Sequence, residues 1–217
     1  MTAILKVDEI QDTSGNLIIK EDSNTITLGA SGDTITIPSG ATFDGSNATL
    51  SGFATTNGIT VAGQWRVSNS PGSINDGDVI GTTDHGTWEQ ADTQYSNIGS
   101  AMTESSGVFT FPSTGIYLIE FSLNLYDSTE QSYIGGTIMY TSDNSSYNDL
   151  SQSYTSLKLI NSTTTYCNIF TSAILDVTDT SNVKVRFKTR CQNNGINISG
   201  SSSVNKTHAT FIRLGDT

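Results

Sequence analysis

Apolar and polar residues alternate along residues 116–125, and this is the clearest pattern in the chain. One set of alternate positions carries large apolar side chains: Tyr117, Ile119, Phe121, Leu123 and Leu125. The positions between them include Glu120, Ser122 and Asn124. Because successive side chains of a strand point to opposite faces, the alternation predicts a β-strand with one buried face and one exposed face.

Nine further segments have the lengths and the turn boundaries of strands. They are residues 64–67, 87–90, 108–111, 134–140, 154–159, 166–175, 182–189, 196–199 and 207–214. Clusters of Ser, Asn, Asp and Gly separate several of them, for example at 142–146 and 192–195. About ten short strands in succession are typical of a β-sandwich or a jelly roll, so the predicted fold class of residues 61–217 is all-β.

Residues 24–60 contain short, polar strand patterns that echo one another. The segment 24–29 is repeated in character at 33–38, with weaker echoes at 41–44 and 48–51. Units of this size are marginal alone in water, so the pattern predicts a β stem in which three copies of the chain wrap about one axis. A flexible linker rich in Ser and Gly is the alternative. The stem would bury Ile26, Leu28, Ile35, Ile37, Phe43 and Leu50.

The charge of the chain is strongly acidic. It has 10 Lys and Arg residues against 21 Asp and Glu residues, a net charge of −11, and nucleic-acid phosphates repel such a chain. No apolar run approaches the roughly 20 residues that cross a bilayer. We therefore expect neither nucleic-acid binding nor membrane insertion.

The N-terminus and the cysteines indicate the compartment of synthesis. Residues 1–10 lack a basic segment followed by an apolar one, so we expect no secretory signal and synthesis in a cytoplasm. In that compartment Cys167 and Cys191 are expected as buried free thiols, although neighbouring strands could bring them face to face.

Residue types that carry catalysis are scattered along the chain. His85 and His208 belong to no metal-ligand spacing, and no nucleophile-elbow motif is present. We therefore predict that the protein is not an enzyme and needs no cofactor.

Calcium binding is a weaker possibility than solvated turn carboxylates. Loop oxygens gather in two places, but Asp and Asn are also ordinary turn residues. These oxygens belong to Asp143, Asn144 and Asp149, and to Asp176 and Asp179.

Residues 97–121 resemble the signature of the C1q/TNF-like family. The matching positions are Asn97, Phe109, Gly115, Tyr117 and Phe121, with the last three in the order Gly-x-Tyr-x-x-x-Phe. The sequence departs from the family pattern at Ala91, Met102 and Ile119, which all keep apolar character. The ending, residues 209–214, also resembles the last strand of the family.

This resemblance implies a fold and an assembly. The family has a ten-stranded jelly roll that assembles as a compact homotrimer, so we expect a trimeric C1q/TNF-like head over residues 61–217. The matched aromatic residues are expected to pack in the core and to bind nothing.

Residues 5–16 and 32–42 resemble phrases in structural proteins of marine bacteriophages. In such proteins an N-terminal segment docks on the virion and a C-terminal head faces outward. The resemblance therefore implies a virion-attachment segment at 1–23, which contacts other virion structural proteins, and a location on the virion surface.

We interpret the chain as a trimeric phage fibre or tail-associated protein that binds a host glycan or protein. A head-decoration protein without a receptor is the alternative, and a secreted C1q-like signalling ligand is disfavoured by the expected lack of a secretory signal.

Loops rich in Tyr, Ser and Asn have the composition of recognition surfaces. Tyrosines recur every seven residues from 133 to 154, a spacing that we interpret as a coincidence of strand and loop lengths. Tyr147 is the best candidate because Ser and Asn flank it. The residues predicted to contact the receptor are Tyr133, Asp143, Asn144, Tyr147, Asn148, Asn193 and Asn194.

Overall fold

The computed structural model describes residues 9–22, 25–28, 31–41, 58–92, 96–161 and 163–217. The chain separates into two compact units, Met1–Ala54 and Thr55–Thr217. Most of the predicted segments 41–44 and 48–51, with Phe43 and Leu50, lies outside the described residues. None of the described residues forms a helix with the length and apolarity that a membrane-spanning segment needs.

The first unit contains a small antiparallel sheet. Its strands are β1 (Glu9–Gln11), β2 (Leu17–Asp22) and β3 (Thr25–Leu28), in that order across the sheet. The carboxylate of Asp12 shapes the first turn by accepting hydrogen bonds from the backbone N–H groups of Ser14 and Asn16, at 2.8 and 2.9 Å. The strand predicted within 24–29 is therefore confirmed as β3.

The strand predicted at 33–38 is wrong for the single chain. Residues 33–38 pair with no other strand among the described residues, and Pro38 has no N–H to offer a ladder. The apolar side chains of this region are exposed, at 69% for Ile26 and 60% for Ile35. They do not form a core within the described part of one chain, and the trimeric stem stays a prediction.

The described residues of the second unit form all ten strands that the sequence predicts for it, together with one more. They are β4 (Ala62–Val67), β5 (Trp88–Gln90), β6 (Thr103–Ser105), β7 (Val108–Thr110), β8 (Gly115–Asp127), β9 (Gln131–Thr141), β10 (Asn148–Leu157), β11 (Thr165–Val177), β12 (Lys184–Cys191), β13 (Asn197–Ile198) and β14 (His208–Gly215). The additional strand is β6, whose three polar residues carry no hydrophobic alternation.

Two antiparallel sheets form a sandwich in this unit. Sheet I has the strand order β10-β9-β12-β7-β6, and sheet II has the order β11-β8-β14-β4-β5 with β13 beside β8. The longest pairing in sheet II is that of β8, which pairs with β11 along all thirteen of its residues. Its odd-numbered residues are buried and its even-numbered residues are half-buried, as the sequence pattern predicts.

Aromatic rings fill the space between the sheets. The ring of Phe109 lies 5.2–5.5 Å from four others, those of Trp65, Trp88, Phe187 and Phe211. These rings come from both sheets, so the cluster joins them. Buried aromatic side chains contribute large apolar areas and favourable edge-to-face contacts.

The structure also describes the other residues of the C1q/TNF-like signature. Tyr117 and Phe121 are buried in the same core, as are Ala91, Met102 and Ile119. The backbone of Gly115 has a φ of 142°, and a Cβ atom there would lie 2.6 Å from the carbonyl oxygen of Gly215. Only glycine therefore allows β8 to begin so close to the end of β14. Asn97 is half-buried on the surface of the unit.

We expect Phe109→Ala to lower the free energy of unfolding by about 3–5 kcal/mol, because it empties the centre of the ring cluster. Urea unfolding followed by tryptophan fluorescence measures the change. The exposed Ser156→Ala variant serves as the control and should stay within about 0.5 kcal/mol of the wild type. Equal stability of the two variants would contradict the central position of Phe109.

Candidate functional site

The predicted receptor-contacting residues fall into two groups at opposite ends of β9. Asp143, Asn144, Tyr147 and Asn148 lie at the β9–β10 connection, whereas Tyr133, Asn193 and Asn194 lie near the start of β9. The strand has eleven residues, which corresponds to a separation of about 35 Å. One small ligand could not contact both groups.

The β9–β10 loop is organised by one carboxylate. Asp143 Oδ1 accepts hydrogen bonds from the backbone N–H groups of Ser146 and Ser145, at 2.8 and 2.9 Å, and from the Thr141 hydroxyl at 2.8 Å. These bonds, led by that from Ser146, hold the pKa of the carboxyl well below its usual range. Asn144 has a positive φ of 54°, and its N–H donates to the carbonyl of Asn182.

The opposite end is also fixed by its asparagines. The N–H of Asn193 donates to Gln131 Oε1 at 2.8 Å, and its side-chain amide donates to the carbonyl of Glu130 at 3.0 Å. Asn194 Oδ1 accepts the N–H of Asp76 at 3.0 Å. The described contacts of these two asparagines therefore hold the loop together, and their contact with a receptor stays a prediction.

The outward face of sheet I carries a row of cations. The alternate residues of β12 on this face are Lys184, which is buried, and the half-buried Arg186, Lys188 and Arg190. They are four of the ten basic residues of an acidic chain. Two of them have carboxylate partners, since Lys188 Nζ lies 2.6 Å from Asp149 and Arg190 Nε lies 2.9 Å from Asp76.

Two tyrosines and an arginine border a notch on this face. The rings of Tyr133 and Tyr154 are perpendicular, at 85°, with centroids 6.0 Å apart, and Arg190 closes the other side. The guanidinium carbon of Arg190 is 5.9 Å from the centre of the Tyr154 ring. Both tyrosines are exposed, at 39% and 45%.

A hydrogen-bonded chain orients Tyr154. Its hydroxyl donates to Gln152 Oε1 at 2.7 Å, and the Gln152 amide donates to Asp149, which is paired with Lys188. Gly135 lies beneath the ring, where a Cβ atom would come within 2.7 Å of Tyr154 Cδ1. The tyrosine is therefore held against the sheet by its neighbours.

A second tyrosine–arginine pair lies nearer the other end of the sheet. The guanidinium carbon of Arg186 is 3.8 Å from the centre of the Tyr147 ring, a cation–π contact. Arg186 Nε is buried and makes no hydrogen bond within the described part of the chain. Tyr147 is consequently half-buried, and it is less exposed than its polar loop predicts.

Sequence reasoning missed the arginines and Tyr154 as members of a site. The signal was present, because the basic residues at 184, 186, 188 and 190 alternate with buried ones along one strand. The seven-residue spacing of the tyrosines does not place them on one face, since an odd spacing along β9 turns Tyr140 to the core side and Tyr133 outward. The register between β9, β10 and β12 then brings Tyr133, Tyr154 and Arg190 together.

The outward face of sheet II carries exposed apolar side chains along β11. Along β11, Tyr166, Phe170 and Ile174 are 62%, 54% and 64% exposed. Tyr166 pairs with Tyr126 on β8, with ring centres 5.0 Å apart, and Ile174 lies opposite Leu118. Aromatic and aliphatic side chains at this exposure on adjacent strands are typical of a surface that another molecule covers.

One polar group on this face is buried without a partner. His208 begins β14 and lies beside Ser122 of β8 and Arg66 of β4. Its Nδ1 atom makes no hydrogen bond to any residue that the structure describes. Burial lowers the pKa of the imidazole, with small opposing contributions from neighbours that include Glu120.

Three side chains near one turn have the residue types of a catalytic triad. Thr82 Oγ1 lies 2.9 Å from His85 Nδ1, and His85 Nε2 lies 3.2 Å from Asp78 Oδ2. The threonine hydroxyl, however, donates to the carbonyl of Val79 at 2.7 Å, and Asp78 accepts the N–H of Asn75. These bonds stabilise the turn and leave no activated hydroxyl.

The described residues contain no cluster of three or more His, Cys, Asp or Glu side chains that could hold a metal ion. The oxygens of Asp143 and Asp179 accept hydrogen bonds from their own turns. Calcium binding stays a prediction.

Cys167 and Cys191 are free thiols. Burial raises the pKa of each to about 11, so both are poor nucleophiles at neutral pH.

Comparison with solved structures identifies the fold. The chain is similar to murine APRIL, with 15% identity, 71% of this chain and 98% of that chain covered, and a TM-score of 0.50. It is similar to the Eiger TNF of S. frugiperda, with 15% identity, 74% and 96% covered, and a TM-score of 0.57. No family model and no curated protein matches the sequence. The second unit therefore has a TNF-like jelly-roll fold, as the resemblance in the sequence implies.

We expect acidification to destabilise the protein through His208. Because the folded state lowers the pKa of this imidazole below 6.5, its stabilising effect is complete above that pH and is lost as the pH falls through the folded-state value. Urea unfolding at fixed protein concentration should therefore show a smaller decline below pH 6.5 for His208→Gln than for the wild type. Identical declines would contradict this assignment.

Proposed function

We propose that the protein is a trimeric, non-enzymatic adhesive head on the surface of a bacteriophage, where it binds a host glycan or protein. The observation that carries the proposal is the row of exposed apolar side chains of β11 on the outward face of sheet II, together with the exposed tyrosines and the arginines of sheet I. One face is suited to contact with sister chains, and the other is suited to contact with a ligand.

Self-association accounts for the exposed apolar residues of β11. Side chains such as Phe170 and Ile174 stabilise the protein only when another surface removes them from water. A closed ring of three identical copies covers such a face on every chain and leaves no free interface. The same reasoning extends to the exposed Ile26 and Ile35 of the first unit, which three chains could bury as a stem.

The virion context comes from the resemblance of residues 5–16 and 32–42 to phage structural proteins. In this proposal the N-terminal segment contacts other virion proteins and the jelly roll faces the host. Binding at each head would be weak, and three heads on each of several fibres would strengthen it, because linked sites act at a high effective concentration. Exposed loops fixed by Asp143 and Asn193 would contribute to the same surface.

We expect Ile174→Glu and Phe170→Glu each to weaken self-association by more than about tenfold, because a buried interface would then hold an unpaired carboxylate from each copy. Light scattering after size-exclusion chromatography measures the mass. The wild type should have three times the mass of one chain, and the control Ser156→Glu on sheet I should match it. A wild type that is monomeric at micromolar concentration would rule out the trimer.

We expect Tyr147→Ala to reduce adsorption of particles to host cells while particle assembly remains normal. The reason is that the ring supports Arg186 on the face proposed to meet the host. Particles lacking the entire head provide the second arm of the experiment. If they adsorb normally but break more easily, the protein is a decoration protein that stabilises the shell, and the adhesive function is wrong.

A further inference from the structure

The notch between Tyr133, Tyr154 and Arg190 has the features of a ligand site. Its arginine is anchored, because Nε donates to Asp76 Oδ1 at 2.9 Å and the same oxygen accepts the N–H of Cys191 at 3.0 Å. A guanidinium has five N–H groups, and the described residues engage only the one on Nε. The terminal nitrogens Nη1 and Nη2 of Arg190 therefore remain available as a pair of parallel hydrogen-bond donors, a fork that is held in one orientation.

The two rings provide an apolar wall beside this fork. Tyr154 is fixed by its hydroxyl bond to Gln152 and by its close fit over Gly135. Tyr133 meets its ring edge to face. The notch has a volume of about 280 Å³, which is smaller than the roughly 300–1,000 Å³ typical of pockets for larger ligands. It has room for one small ring and opens to solvent.

We propose that this notch binds a sugar that carries a carboxylate, within an acidic glycan of the host surface. The carboxylate would accept two parallel hydrogen bonds from the terminal nitrogens of Arg190, a charge-assisted geometry that favours arginine over lysine. The C–H face of the sugar ring would pack on Tyr154. This inference rests on the proposed adhesive function and names the chemical class of its ligand.

Charge explains why the ligand is an isolated carboxylate rather than a dense polyanion. The chain as a whole carries −11, and Asp76 and Asp149 lie beside the cations of the face. Closely spaced phosphates would meet these carboxylates, whereas a single carboxylate on a sugar ring meets one fork. A planar carboxylate also matches the planar guanidinium.

The second tyrosine–arginine pair extends the site along β12. Arg186 lies four residues before Arg190 on the same face, a distance of about 13 Å. A longer glycan with more than one acidic sugar could therefore contact both arginines. Such a glycan should bind more tightly than a single sugar, because the second contact is intramolecular.

The test compares two sugars that differ only in the carboxylate. Saturation-transfer difference NMR is recorded on the full-length protein with methyl β-D-glucuronide and with methyl β-D-glucoside. We expect the wild type to bind the glucuronide at least tenfold more tightly than the glucoside. Arg190→Lys, which keeps the charge but loses the fork, should reduce glucuronide binding at least tenfold, and so should Tyr154→Ala. Ser156→Ala, on the exposed end of β10, is the matched control and should bind as the wild type does.

Several results would overturn the inference. They are equal binding of the two sugars, no binding of the glucuronide by the wild type, or unchanged binding by both Arg190→Lys and Tyr154→Ala. Thermal unfolding of each variant separates loss of the site from loss of the fold. Adsorption of wild-type virions and of virions that lack the head distinguishes the two proposals. If the wild-type head is required for adsorption but does not bind the glucuronide, this site is refuted and the adhesive function stands. Glucuronide binding by a head that is dispensable for adsorption refutes only the function.

Discussion

The contact between aromatic rings of two facing sheets is the interaction on which the rest of this structure depends. Phe109 and Phe187 come from sheet I, and Trp65, Trp88 and Phe211 come from sheet II. In a chain with only 35% hydrophobic residues, a few large rings supply much of the buried area. Because they hold the sheets together, the loops and the outward faces can carry polar or exposed residues that contribute little to stability.

The outward faces of the two sheets carry different kinds of side chain. Every strand that sends one set of side chains to the core sends the other set outward. On sheet I the outward set contains arginines, lysines and tyrosines, and on sheet II it contains Phe170, Ile174 and their neighbours. An assembly that covers the second face leaves the first exposed, so association and ligand binding need not compete for the same residues.

The sequence was sufficient for the architecture of the second unit but not for its surface. Ten of its eleven described strands follow from alternation and turn residues, and both signals are local. Strand β6 was not predicted, because its three polar residues show no alternation. Residues 33–38 were wrongly predicted as a strand, because alternation alone does not supply a partner strand. The notch could not be foreseen, since Tyr133, Tyr154 and Arg190 meet only through the register of three strands. Likewise, no local pattern shows that Asn193 and Asn194 form hydrogen bonds with the distant residues Gln131, Glu130 and Asp76.

The parity of β12 limits how this surface can change. Val185, Phe187 and Cys191 face the core, while Arg186 and Arg190 face outward. Inserting or deleting one residue within the strand would exchange the two sets and carry guanidinium groups into the aromatic core. The chemistry of this surface can therefore change only by replacement of side chains at alternate positions, whereas changes of length are confined to the connecting loops.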